Sequence, residues 1–233
     1  LLHTLWLAIP VMVFSFNHSP IISAFAVDQK RRYGGHAEER SSQILSRAHL
    51  LMVGMVLKRA MKGEINLFEP AMAVAAELTS VPSFESIDAS ELFAVEKDIL
   101  KKLKKVFLMV GGKAAMSLQD RIEDEQEIMM NLADVMIEIY AAESAILRAE
   151  KIALKDGEES AKNQIAMAKI YLYEATDKIG ASAKEAIVSF AKGDEQKVLL
   201  MGLKRFTKPD FINVKELRRQ VADYMIAQGK YPF

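Results

Sequence analysis

Apolar residues between positions 128 and 153 recur with spacings that alternate between four and three residues. They are Ile128, Leu132, Val135, Ile139, Ala142, Ile146, Ala149 and Ala153. This periodicity places all of these side chains on one face of an α-helix, as in the seam of an antiparallel bundle or a coiled coil. The chain is therefore expected to fold as helices packed around this seam.

Two further stretches carry matching faces that can cover the seam. One face is formed by Ile165, Ala168, Leu172, Ala175, Ile179 and Ile187, and another by Leu92, Val95, Ile99, Leu103, Val106 and Val110. A short helix is predicted over residues 195–206. A last helix is predicted from about 213 to 228, with Asn213 as its N-cap and Gly229 as its stop. No strand pattern of any length occurs, so the predicted fold class is all-α, an antiparallel helical bundle over residues 57–233.

Glycine and proline predict where the helices are interrupted. A break is expected near Gly63 and Pro70, residues 81–90 read as a linker, and Gly157 is a predicted C-cap. The pair Gly111-Gly112 falls late in its helix and leaves two outcomes open, close packing against a neighbour or a local break.

The beginning of the chain has a different character, because residues 1–27 contain no Asp, Glu, Lys or Arg. As a helix this run would be roughly 40 Å long, whereas a bilayer core needs roughly 20 apolar residues. Pro20 follows the polar triplet Asn17, His18 and Ser19, which predicts a broken transmembrane-type helix with these three residues near a substrate path. A plain proline kink and a buried helix of a water-soluble protein remain alternatives.

A basic group and a second apolar segment follow this run. Lys30-Arg31-Arg32 is typical of the cytoplasmic end of a membrane span, and a polar helical connector comes next. The second apolar segment, residues 48–57, has about half the length that a span requires. These features predict membrane contact through residues 1–27 and a cytoplasmic location for residues 57–233.

The composition excludes several kinds of chemistry. There is no cysteine, and the four histidines all lie within the first 49 residues. A Glu-x-x-His di-iron motif is therefore absent from the predicted bundle, and no metal site is expected there. The formal net charge is zero, which gives no global electrostatic argument for binding nucleic acid.

Three polar groups in the predicted bundle are candidate sites. The lysines at 101, 102, 104 and 105 could meet a lipid headgroup or an acyl-CoA phosphate, but a solvated helix face is the simpler interpretation. The acidic residues at 123–127 suit the first turn of a helix. Tyr140, Tyr171 and Tyr173 are expected to pack beside the core.

Residues 1–56, with the segment FSFNHSPIISAFAV, resemble an internal piece of the bacterial serine/threonine–proton symporters of the hydroxy and aromatic amino acid permease family. The resemblance implies a broken-helix transporter fold and places Asn17, His18 and Ser19 near the substrate path. A fragment of this size cannot form the two repeats that alternating access requires, so transport is not expected from it.

Residues 57–233 are similar to the C-terminal part of acyl-CoA dehydrogenases of the long, very-long-chain type. The segments LKRAMKGE, LKKLKKVFLMVGG and LLMGLKRFTKPDF carry this resemblance. It implies FAD for the parent enzyme, a glutamate base just ahead of LKRAMKGE, and a helical domain that supports dimers and, in some members, membrane association. No glutamate stands at the position of the base, and Glu64 is not given that role. No catalytic or cofactor-binding residue is therefore assigned, and the chain is expected to be inactive alone.

The two resemblances meet near Val56 and Leu57, so the chain reads as two unrelated sequences that are fused or mis-joined. Three functions are considered. The first is a non-catalytic structural or dimerisation domain of an FAD-dependent acyl-CoA dehydrogenase of fatty-acid β-oxidation. The second is a truncated symporter fragment, and the third is a membrane-anchored helical adaptor.

Overall fold

A computed structural model describes residues 36–80, 91–209 and 212–229, with side chains from residue 46 onward. Within these ranges every regular element is helical, which confirms the all-α class. The α-helices are α1 (His36–Met61), α2 (Phe68–Thr79), α3 (Ala94–Leu118), α4 (Gln126–Asp156), α5 (Lys162–Phe190), α6 (Gly193–Phe206) and α7 (Val214–Gln228), and a 3₁₀ turn (Gln119–Glu123) joins α3 to α4.

Helix α4 packs against α1, α3 and α5, and its buried face is the one that the sequence predicts. All eight residues of the 128–153 seam are buried, and none is more than 5% exposed. On α5 the predicted face is buried too, except for half-buried Ile165. The two faces meet in one apolar core, whose burial is the main favourable contribution to folding.

Side-chain pairs across the helices show that neighbours run antiparallel. Between α3 and α4, Lys97 pairs with Glu150 at 2.5 Å and Lys104 with Glu143 at 2.6 Å. The numbers rise on one helix as they fall on the other, so the two helices point in opposite directions. Helices α4 and α5 are also antiparallel, since Glu138 lies beside Lys178 while the groove between the two helices joins Ile152 to Gln164.

The buried face of α3 is turned relative to the prediction. Leu103, Val106 and Val110 are buried as expected, but Leu92, Val95 and Ile99 are only half-buried. Their places in the core are taken by Phe93, Leu100 and Phe107. The start of α3 packs on α5 through Glu96, which is 8% exposed and lies 3.0 Å from the Lys169 ammonium. The ion pair between Glu96 and Lys169 therefore lies at the start of α3, where the apolar periodicity predicts only core residues.

The glycine pair in α3 allows close packing and does not break the helix, which continues to Leu118. A Cβ atom added at Gly112 would lie only 2.5 Å from the Cβ of Ala71, so α2 and α3 approach at this point as closely as glycine permits. The break before α2 is at Gly63, where φ is +74°. The predicted break near Gly63 and Pro70 is thus present between Met61 and Phe68, and Pro70 itself lies in the first turn of α2, where a missing N–H costs little.

The other predicted helix ends agree with the structure. The side chain of Asn213 accepts a hydrogen bond from the backbone N–H of Glu216, and Gly229 ends α7 at φ 62°. Gly157 follows the last residue of α4 at φ 87°. The predicted linker at 81–90 lies outside the described residues.

Helix α1 runs without interruption through Val56 and Leu57, where the sequence analysis predicts that the two resemblances meet. Val53 and Ala60, on either side of this point, are buried in the same core. The second apolar segment is therefore the middle of a bundle helix with one buried face, and Leu51, on its other side, is 59% exposed. The division into residues 1–56 and 57–233 stays a prediction. Among the helices that the structure describes, none is long and apolar enough to cross a membrane.

Candidate functional site

The predicted transporter residues Asn17, His18 and Ser19 lie outside the described residues, as does the uncharged run 1–27 that contains them. Their proximity to a substrate path stays a prediction. In the described ranges, histidine and carboxylate side chains do not gather in a group of three or more that could hold a metal ion.

The lysine cluster of α3 is neutralised by its neighbours. Three of its four lysines form ion pairs: Lys102 with Asp98 at 2.7 Å, Lys104 with Glu143 at 2.6 Å and Lys105 with Glu77 at 2.7 Å. Lys104 is far from solvated, since its side chain is only 11% exposed. Lys104 connects α3 to α4, and Lys105 connects α3 to α2. Because their charges are already paired, these lysines form neither an anion-binding site nor a fully solvated helix face.

A second polar cluster joins α4 to α5. A carboxylate oxygen of Glu138 accepts a hydrogen bond from the Tyr171 hydroxyl at 2.9 Å, and the other accepts one from the Lys178 ammonium at 3.0 Å. Desolvation is the main cause that raises the pKa of Tyr171 above its usual range, and the negative charge of Glu138 raises it further. The phenol is thus held neutral as a hydrogen-bond donor, so Tyr171 has a polar role beyond the packing predicted for it.

His49 belongs to the contact of α1 with α4, and sequence reasoning missed this role. It is only 9% exposed, and its Nδ1 atom lies 3.7 Å from a carboxylate oxygen of Asp134. Both ring nitrogens lack a hydrogen-bond partner. Burial raises the pKa of Asp134, His49 opposes this shift, and Glu138 one turn away adds to it. The sequence does contain a pattern that indicates this role. His49 precedes Val53 by four residues, which places both side chains on the same, buried face of α1.

An open groove lies between the second half of α4 and the first half of α5. It encloses about 360 Å³ and is lined by Ala145, Arg148, Ala149, Ile152, Gln164, Met167, Ala168 and Tyr171. Three of these residues are alanines, whose short side chains leave the space between the helices unfilled. The sequence pattern had counted Ala149 and Ala168 as core, so it did not indicate a groove.

Ion pairs between helices therefore recur throughout this helical domain, and they connect α3 with α2, α4 and α5, and α4 with α5. Residues 102–205 match the family of the acyl-CoA dehydrogenase C-terminal domain. The chain is 35% identical over 182 residues to a probable acyl-CoA dehydrogenase of Bacillus subtilis, which covers 78% of this chain and 30% of that protein. It also superimposes on the crystal structure of a Bacillus anthracis acyl-CoA dehydrogenase complexed with FAD. That match has a TM-score of 0.76 and 30% identity, and it covers 88% of this chain and 36% of the other.

A separate similarity concerns the serine transporter SdaC of Escherichia coli K12. The chain is 53% identical to it over 74 residues, which are 32% of this chain and 17% of the transporter. The two resemblances stated from the sequence are therefore confirmed. The chain is similar over most of its length to the C-terminal part of acyl-CoA dehydrogenases, and a shorter segment is similar to serine transporters. The chain spans about a third of the length of the dehydrogenases and about a sixth of the transporter.

Proposed function

We propose that residues 57–233 form a non-catalytic structural and dimerisation domain of an FAD-dependent acyl-CoA dehydrogenase of fatty-acid β-oxidation. The observation that carries this proposal is that glutamates of the bundle form ion pairs with lysines of neighbouring helices. The pairs Lys97–Glu150, Lys104–Glu143, Lys105–Glu77, Lys169–Glu96 and Lys178–Glu138 each connect two different helices. These carboxylates are engaged in holding helices together, whereas a general base must reach a substrate.

The groove between α4 and α5 is a poor fit for FAD. A flavin dinucleotide brings two phosphates, a ribityl chain and two ring systems. The α4–α5 groove offers one cation, Arg148, and it is open to solvent along one side. Glu64, the first carboxylate after the expected position of the base, is exposed and accepts a hydrogen bond from Arg59 at 3.1 Å. Arg148 and Glu64 therefore give no support for a dehydrogenation step.

Exposed apolar side chains support the dimerisation part of the proposal. Leu147 and Leu154 stand two turns apart on one side of α4 and are 48% and 82% exposed. Leucines exposed on one helix face are suited to contact a second copy of the domain.

The purified full chain tests this function directly. We expect it to sediment as a dimer, to show no flavin absorbance near 450 nm, and to leave the fluorescence of added FAD unquenched. It should also fail to reduce an electron acceptor when supplied with acyl-CoA. Saturable quenching of FAD, or turnover of an acyl-CoA, would contradict the non-catalytic role, and a monomer would contradict dimerisation.

The similarity to SdaC favours a second candidate, in which the N-terminal segment attaches the domain to a membrane. On this proposal the full chain is membrane-associated through residues 1–27, with the bundle in the cytoplasm, either as a truncated transporter fragment or as an anchored adaptor. The uncharged run supports this proposal, because charges inside an apolar run oppose insertion by about 2.5–3.5 kcal/mol each.

Membrane fractionation separates this candidate from the first. The full chain should be recovered with membranes after a high-salt wash. The double variant Val11→Asp/Phe14→Asp should move to the soluble fraction, because two charges then interrupt the run. The matched control Leu147→Asp changes an exposed leucine of α4 and should leave the distribution unaltered. Equal distribution of all three proteins would refute attachment through residues 1–27.

A further inference from the structure

The groove between α4 and α5 combines an apolar lining with two polar groups that have unused binding capacity. Ile152 of α4 and Met167 of α5 supply apolar surface on its two sides. Its volume of about 360 Å³ lies within the usual range for small-molecule sites, which begins near 300 Å³.

The first polar group is the side-chain amide of Gln164. Its Oε1 atom is buried and has no hydrogen-bond partner. A buried acceptor without a donor is unfavourable, so a ligand that brings an N–H or O–H group to this atom gains the energy of a hydrogen bond that the protein does not supply. This orphan acceptor therefore selects for a hydrogen-bond donor.

The second polar group is the guanidinium of Arg148, which forms no ion pair within the part of the chain that the structure describes. Lysines on the neighbouring faces of the bundle are mostly paired, as Lys97 and Lys104 of α3 are with glutamates of α4. An arginine presents a planar fork of donors that matches a carboxylate in a bidentate arrangement. Arg148 therefore selects for a carboxylate at the rim of the groove.

From this combination we propose that the groove binds a small carboxylic acid that has an apolar body and an N–H or O–H donor, as an N-acylated apolar amino acid does. The carboxylate pairs with Arg148, the donor reaches Gln164 Oε1, and the apolar body contacts Ile152 and Met167. Such a site lies between two helices of one bundle and requires neither FAD nor a second copy of the chain. Its failure would leave the structural role proposed above unchanged.

The test uses the full chain labelled with ¹³C-methyl methionine, in which the Met167 signal is assigned with Met167→Leu. N-acetyl-L-leucine should shift the Met167 methyl signal saturably. N-acetyl-L-leucinamide, which lacks the carboxylate, should bind about tenfold more weakly, since a charge-assisted hydrogen bond is lost. The acid 4-methylpentanoate lacks the N–H donor and should also bind several-fold more weakly.

Variants assign these preferences to the two side chains. In Arg148→Gln the acid and its amide should bind equally well, and in Gln164→Leu the advantage of N-acetyl-L-leucine over 4-methylpentanoate should vanish. Lys151→Gln removes an exposed charge from the same helix outside the groove lining and should keep both preferences. The proposal is overturned if Met167 shows no saturable shift. It is also overturned if the preference for the acid persists in Arg148→Gln, or if Lys151→Gln abolishes it equally.

Discussion

Replacing Ile139 by aspartate should unfold the helical bundle. Ile139 lies near the middle of α4, has no exposed surface and belongs to the apolar core that α4 shares with its neighbouring helices. An aspartate there would bury a carboxylate among apolar side chains without a partner. We expect a loss of at least about 4 kcal/mol, which is most of the stability of an ordinary domain. Circular dichroism during heating should then show no cooperative transition near that of the parent chain.

The control for this variant is Met201→Asp on α6, outside the surface proposed for dimerisation. Met201 is 66% exposed, so the new carboxylate remains in water and the free energy of unfolding should change by less than about 0.5 kcal/mol. If Ile139→Asp melted at the same temperature as Met201→Asp, the buried position of the α4 seam would be wrong.

Replacing Gly112 by alanine should separate α2 from α3. The added methyl group would lie 2.5 Å from the Cβ of Ala71, an atom fixed to the backbone that cannot rotate away. Relief of this overlap requires one helix to shift, and overpacking of this kind costs about 1–3 kcal/mol. Alanine gains up to about 1 kcal/mol of helix propensity over glycine, which offsets part of the cost. Urea denaturation should therefore give a lower free energy of unfolding for Gly112→Ala.

The adjacent glycine supplies the matched control. A Cβ at Gly111 would meet Leu132 at 3.7 Å, an ordinary van der Waals distance, so Gly111→Ala keeps the gain in propensity without the overlap. We expect Gly111→Ala to be about 0.5–1 kcal/mol more stable than the parent chain. Equal effects of the two substitutions would mean that α2 does not pack closely on α3 at Gly112.

The sequence predicts the apolar framework well, because buried faces repeat at helical spacing. The seam from Ile128 to Ala153 is buried throughout. The same reasoning misplaces the face of α3, since Glu96 reads as a surface residue until Lys169 of a distant segment is known to lie beside it.

The polar contacts and the groove could not be predicted from the sequence. Glu138 and Tyr171 are 33 residues apart, and only the antiparallel pairing of α4 with α5 brings their oxygens to 2.9 Å. The groove depends on which alanines face each other across that pairing. Its unpartnered group, Gln164, has the same appearance in the sequence as any surface glutamine.

The uninterrupted course of α1 couples its two halves in rotation. Successive residues of an α-helix turn by about 100°, so a single residue inserted between Val56 and Leu57 would swing the preceding part of α1 by that angle. Val53 would leave the core and His49 would leave Asp134, even though no residue of either half had changed. The middle of α1 therefore tolerates changes in side chain far better than changes in length, and only insertions close to whole turns would preserve its packing.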